Sequence, residues 1–118
     1  MNNEQLNQEE INYNILEDLY EMINDRENNP KEGSYTNYLL NEGIDKICKK
    51  VGEEATETVI AAKNENKEEL IGEISDLIYH VEVLMYNKGV KPEDVIRKLS
   101  QRHKIENNKK TKNIRGDY

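Results

Sequence analysis

The chain reads as all-α, a four- to five-helix bundle in a single domain, on three observations. Apolar residues recur at three- and four-residue spacing along most of its 118 residues, no stretch alternates with the period of two that a strand needs, and clusters of Asn, Pro and Gly punctuate the periodic stretches. Only 35% of residues are apolar, with no Phe and no Trp, so the core is thin for the length. Burial between subunits is expected to supplement it, in a homodimer or a dimer of dimers.

From Glu4 to about Glu27, Leu6, Ile11, Ile15, Leu19, Met22 and Ile23 recur at helical spacing, with Tyr20 nearby, and predict a first amphipathic helix. Asn28-Asn29-Pro30-Lys31-Glu32-Gly33 breaks it. Ser34 is placed to cap a short second helix carrying Tyr35, Tyr38 and Leu39, and Gly43 marks its end or a kink. The hydroxyls of Ser34, Tyr35 and Thr36 could equally face a ligand.

A third helix runs from about Ile44 to Lys63, with an apolar face of Ile44, Ile47, Cys48, Val51, Ala55, Val59 and Ala62. Cys48 is read as a small core residue in a reducing compartment. Ile60, on the opposite side with Lys46 and Glu53, hints at a subunit contact, as does Tyr79 on the next helix. Asn64-Glu65-Asn66 is a short connection, which favours an antiparallel neighbour. That fourth helix, about Lys67 to Asn87, has an apolar face of Leu70, Ile71, Ile74, Leu77, Ile78, Val81, Leu84 and Met85 and ends at Lys88-Gly89, a glycine C-cap signal. Pro92 and the acids Glu93 and Asp94 suit the first turn of a fifth helix reaching roughly Ile105, with Val95, Ile96 and Leu99 as its few apolar positions. Its basic end, Arg97, Lys98, Arg102, His103 and Lys104, answers the helix dipole or contacts phosphate. Residues 1–106 form the expected domain and 107–118 a basic polar tail.

The net charge of −7 disfavours general nucleic-acid binding, since a duplex attracts a basic stripe. Charge is unevenly placed: from Lys104 to Tyr118 there are five basic and two acidic residues, which leaves −10 for the rest. No apolar run is long enough to span a membrane and the polar N-terminus lacks the marks of a secretory signal, so a cytoplasmic protein is expected, with neither nucleic acid nor membrane as partner.

The chemistry lies in two acidic clusters, Glu53-Glu54-x-x-Glu57 and Glu73-x-x-Asp76. At about 100° per residue, Glu54 and Glu57 lie roughly 80° and 140° to one side of their apolar face, and Glu73 and Asp76 roughly 90° and 150° to the same side of theirs. If the two helices pack antiparallel by those faces, a local two-fold brings all four carboxylates to one edge. Clustered carboxylates repel unless a cation or shared protons offset the charge. All-oxygen donors point to Mg²⁺, with Mn²⁺ the alternative, and Mg²⁺ characteristically binds phosphate oxygens alongside one or two carboxylates. A solvated acidic face is the bland reading of either cluster alone; the i to i+3 spacing on the same flank of both helices argues against it. His80, four residues after Asp76, shares that flank and could orient a carboxylate, carry a proton or be structural. A di-iron bundle is disfavoured, because Leu77 and Ser100 stand three before His80 and His103 where that site needs Glu.

These acids match the EExxE…ExxD signature, and the chain thereby resembles the all-α NTP pyrophosphohydrolases, the MazG-like superfamily. The run Ser34-Tyr35-Thr36, Lys49 to Glu57, Ile60 to Asn64 and Asp76 to His80 is similar, within it, to the phosphoribosyl-ATP pyrophosphohydrolase family, over about Gly33 to His103. The resemblance implies the bundle type and dimeric assembly, and hydrolysis of the α–β phosphoanhydride of phosphoribosyl-ATP to phosphoribosyl-AMP and pyrophosphate, the second step of histidine biosynthesis, with Mg²⁺. It puts metal ligation and catalysis on Glu54, Glu57, Glu73 and Asp76. Lys50, and less directly Lys46 and Lys63, are then candidates for phosphate contacts, Ser34 and Tyr35 for other substrate contacts, and Glu53 and His80 for support behind the ligands. A housecleaning nucleoside triphosphate pyrophosphatase of the same superfamily and a non-catalytic helical interaction module are the alternatives.

Overall fold

Backbone donors and acceptors at each break are met by the residues that the breaks are made of, and this sets where the helices begin and end. The computed structural model describes residues 10–109, and the described residues form five helices and no strand: α1 Ile15–Asn28, α2 Tyr35–Glu42, α3 Ile44–Lys63, α4 Lys67–Asn87 and α5 Pro92–Lys109. Ser34 Oγ accepts from the Asn37 amide (3.1 Å) to start α2, and Asn66 Oδ1 accepts from the Glu69 amide (3.1 Å) to start α4. After α4, the Lys88 and Gly89 amides return to the carbonyls of Leu84 (3.0 Å) and Tyr86 (3.1 Å), with Gly89 at φ 73°. Asn37 adds a tie that spacing did not foretell: its Nδ2 donates to the Arg26 carbonyl (2.6 Å) and its Oδ1 accepts from the Lys31 amide (2.8 Å). The loop between α1 and α2 is thereby fixed at both ends.

The first helix is shorter at its start than its apolar spacing predicts. Asn12 takes the Asn14 amide on its side-chain oxygen (2.9 Å) and donates to Asp18 (2.7 Å), so the chain turns at 10–14 and Ile11 is not helical. Leu6 lies outside the described residues. The last helix runs further than Ile105, to Lys109.

Four helices meet at one point. Ile23 of α1, Leu39 of α2, Ile47 of α3 and Val83 of α4 are fully buried against one another, with Leu19, Met22, Leu40, Tyr79, Leu84 and Tyr86 packed around them. Over residues 92–104, where burial is described, α5 adds no buried residue, and Val95, Ile96 and Leu99 are exposed. No helix among the described residues is long and apolar enough to cross a membrane.

The closest pairing is the α3–α4 hairpin, and its seam departs from the faces expected above. On α3 the buried positions are Ile47, Glu54 and Ala61, whereas Ile44, Cys48, Val59 and Ala62 are exposed. On α4, Leu70, Glu73 and Leu77 turn inward while Ile71, Ile74 and Ile78 stay out. Each helix is rotated by roughly 60–80° toward its acids, at about 100° per residue. The physical reason is that the apolar residues serve two faces, one against the hairpin partner and one left open, and an average over both points between them. Cys48 is therefore an exposed thiol and not a core residue. Tyr79 likewise does not project outward: it packs on the core and its hydroxyl is hydrogen-bonded to that of Thr36. Ile60 is exposed.

Candidate metal centre

Rotation of the seam carries two of the four carboxylates inside. Glu54 is 8% exposed, and Glu54, Glu57 and Glu73 can each offer one oxygen such that all three lie within 4.8 Å of one another. The spacing explains the meeting: Glu54 and Glu57 are a turn apart on α3, and the three-residue link to α4 brings Glu73 back alongside. Asp76, a further turn along α4, is exposed and stands outside that trio, though its charge acts on both Glu54 and Glu73.

Buried Glu54 Oε2 and Glu73 Oε2 have no hydrogen-bond partner. Burial pushes both carboxyls to hold their protons more tightly than usual, and the neighbouring acids, Glu57 foremost, push the same way; Lys50 opposes this at Glu54. Orphaned buried carboxylate oxygens with a shared centre are what a hard cation satisfies, and the donor set contains neither nitrogen nor sulfur. The residues fit a divalent ion of the Mg²⁺ kind.

Lys50 Nζ lies 3.4 Å from Glu53 Oε1 and 3.9 Å from Glu54 Oε1, so it spans the exposed and the buried acid. Glu53 points outward. Lys46 sits apart, with its ammonium 5.8 Å from the centre of the Tyr38 ring. Lys63 ends α3, six residues and about 9 Å of helical rise beyond Glu57, and is not drawn into the group. Ser34 serves as the cap of α2.

His80 is buried, and its ring is held at both nitrogens. Nδ1 donates to the Asp76 carbonyl oxygen (2.7 Å), which can only accept, and in the neutral ring Nε2 then accepts from the Tyr35 hydroxyl (2.8 Å). It therefore orients Tyr35 rather than a carboxylate. Tyr38, one turn after Tyr35, stacks on it with ring centroids 6.0 Å apart. Spacing alone showed both tyrosines on one helix but not that they would remain outside the core. Glu82 was also missed, although an acid within the largely apolar run from Leu77 to Met85 is itself a signal; it is buried, with Oε1 unpartnered.

A family model described as phosphoribosyl-ATP pyrophosphohydrolase matches residues 16–103. Among curated proteins, the chain is 57% identical over 99 residues to a phosphoribosyl-ATP pyrophosphatase of Clostridium novyi, covering 84% of this chain and 90% of that protein. It is 58% identical over 96 residues to one from Clostridium acetobutylicum, covering 81% and 87%. A histidine biosynthesis bifunctional protein of Lactococcus lactis is 56% identical over 96 residues, which span 81% of this chain and 45% of that longer protein.

Proposed function

The chain belongs to the phosphoribosyl-ATP pyrophosphohydrolase family, and from that premise we propose that it cleaves the α–β phosphoanhydride of phosphoribosyl-ATP with water, as a step of histidine biosynthesis in the cytoplasm. The observation that carries the site is the carboxylate trio within 4.8 Å, two of its members ending in buried oxygens without partners. Glu54, Glu57 and Glu73 would hold the cation, with Asp76, one turn further along α4, as the fourth ligand. Bound there, Mg²⁺ or Mn²⁺ supplies charge stabilisation to the phosphate oxygens and acidifies water.

The chain's own groups do the rest. A carboxylate of the cluster positions the water and takes its proton as the oxygen bonds to the α-phosphorus and the bridge to the β-phosphate breaks, giving phosphoribosyl-AMP and pyrophosphate. Lys50 is placed to meet the departing pyrophosphate charge once substrate draws it from Glu53. Lys46 and Lys63 could reach phosphate only from the margins. Glu53 keeps Lys50 aimed, and His80 fixes Tyr35 beside the site.

The exposed stripe of Val59 (62% exposed), Ile71, Ile74 and Ile78 along the hairpin supports self-association as a homodimer or a dimer of dimers, because a second copy would cover it. Residues 1–106 are read as the catalytic unit and 107–118 as an appended tail. Pyrophosphate release from phosphoribosyl-ATP, set against ATP and deoxynucleoside triphosphates and repeated with a chelator, tests the reading. Strong preference for phosphoribosyl-ATP and loss of turnover with the chelator are expected. Equal turnover of deoxynucleotides would move the chain to a housecleaning role, and no turnover at all to a binding module.

A further inference from the structure

Tyr35 and Tyr38 project from one edge of α2, a turn apart, with ring planes 24° from parallel and centroids 6.0 Å apart. They are 44% and 46% exposed, yet they do not belong to the apolar stripe on α3 and α4. Tyr35 anchors the pair. Tyr35 is bonded to His80, and its ring also meets Tyr79 and His80 at centroid distances of 6.1 and 5.6 Å. Its hydroxyl feels the charges of Lys50 and Glu54, and through His80 it is tied to the backbone of Asp76, so this end of the pair is linked to the helix that carries Glu73 and Asp76. At the other end, Lys46 stands over Tyr38. Beside them, on the side of the α1–α2 loop at residues 30–33, opens a shallow hollow of about 690 Å³ that Tyr35 and Tyr38 border and the carboxylates do not line.

We propose that the tyrosine pair is the platform for the purine ring of the nucleotide, with Tyr38 as the residue that selects for a base. This rests on the reading of function above and deepens it. With the triphosphate fixed at the cluster, the purine beyond the first ribose, which carries the second phosphoribose on its ring, is a flat π-system that water solvates poorly. A preorganised aromatic face takes it up without ordering anything new. Lys46, 5.8 Å from the centre of the Tyr38 ring, adds a cation at the outer end of the pair.

The test compares Tyr38→Leu and Tyr38→Phe in the full chain. Both should fold as the parent does, because Tyr38 is half exposed. Steady-state kinetics on phosphoribosyl-ATP should show Tyr38→Leu with KM raised about tenfold or more, the loss typical of one base–aromatic stack, and kcat within about twofold. Inhibition by AMP should weaken in parallel, inhibition by pyrophosphate should not change, and Tyr38→Phe should restore parental values. An unchanged KM in Tyr38→Leu, equal weakening of AMP and pyrophosphate, or a Tyr38→Phe variant as impaired as Tyr38→Leu would each overturn the platform. A parent that releases no pyrophosphate from phosphoribosyl-ATP would refute the function instead. AMP titrated into parent and Tyr38→Leu, followed by calorimetry, then still decides the platform: equal affinities refute it and a weaker variant upholds it.

Discussion

Glu82→Gln should stabilise the chain at pH 8 and leave it nearly unchanged at pH 4. Glu82 lies on α4 one turn before Tyr86, which is hydrogen-bonded to Asn24 and Glu27 of α1, and Glu82 itself is 3% exposed with Oε1 unpartnered. Burial raises its pKa from 4.5 to about 7, and Tyr20 of α1 feels its charge. The sign follows from linkage. Below pH 4.5 the side chain is protonated folded or unfolded and contributes nothing. As pH rises toward 7 the unfolded chain releases the proton and the folded chain keeps it, so stability falls across that window and levels off above it. At about 1.36 kcal/mol per pKa unit the full shift sets a ceiling of about 3 kcal/mol, and water reaching the group reduces the expected loss to about 1–2 kcal/mol. Gln keeps the shape and cannot ionise. Urea unfolding of parent and variant at pH 4.5, 6 and 8, with chelator present, should show a difference that grows with pH at constant m-value. A difference independent of pH would refute the placement of a proton on Glu82; the other acids cancel in the comparison.

Glu57→Gln or Asp76→Asn removes one charge from a repelling cluster, so without metal either variant should melt no lower than the parent, and with Mg²⁺ the order should reverse. Thermal scans with and without Mg²⁺ check this, alongside activity that falls by orders of magnitude in both but mildly in Glu53→Gln. Ile47→Ala empties the point where four helices meet and should cost about 2–5 kcal/mol in denaturant unfolding. Val59→Lys should leave the single chain folded but lower its mass in light scattering at micromolar concentration, whereas a parent that is already monomeric would refute association. Truncation after Lys109 should leave the unfolding transition in place, and a raised KM would assign the basic tail to phosphate binding.

How the residues come together explains which readings the sequence could support. The helices were legible because their breaks carry their own capping chemistry, as at Ser34, Asn66 and Gly89. The acidic centre was legible in composition, since i to i+3 pairs on two neighbouring helices can converge whatever the exact rotation. The rotation itself was not. Val59 and Ile47 are equally apolar, and nothing local distinguishes a residue that meets α4 from one on the open face. Asp76 was placed on the same flank as Glu73 by angle, but its distance from the trio depends on how far α4 slides along α3, which periodicity does not encode. The role of His80 turned on α2, a helix 45 residues away in sequence from the ring it supports.

Only Gly43 separates α2 from α3, and its backbone, at φ 91° and ψ −170°, occupies a region that is closed to side chains on steric grounds. A Cβ there would meet open space, so the constraint is torsional rather than one of crowding. The tyrosine edge and the carboxylate helix are thus joined by a single set of dihedral angles. Directed evolution toward bulkier or slimmer bases would have to change the side chains on either side of this joint, because lengthening it by even one residue would swing the aromatic edge away from the acids.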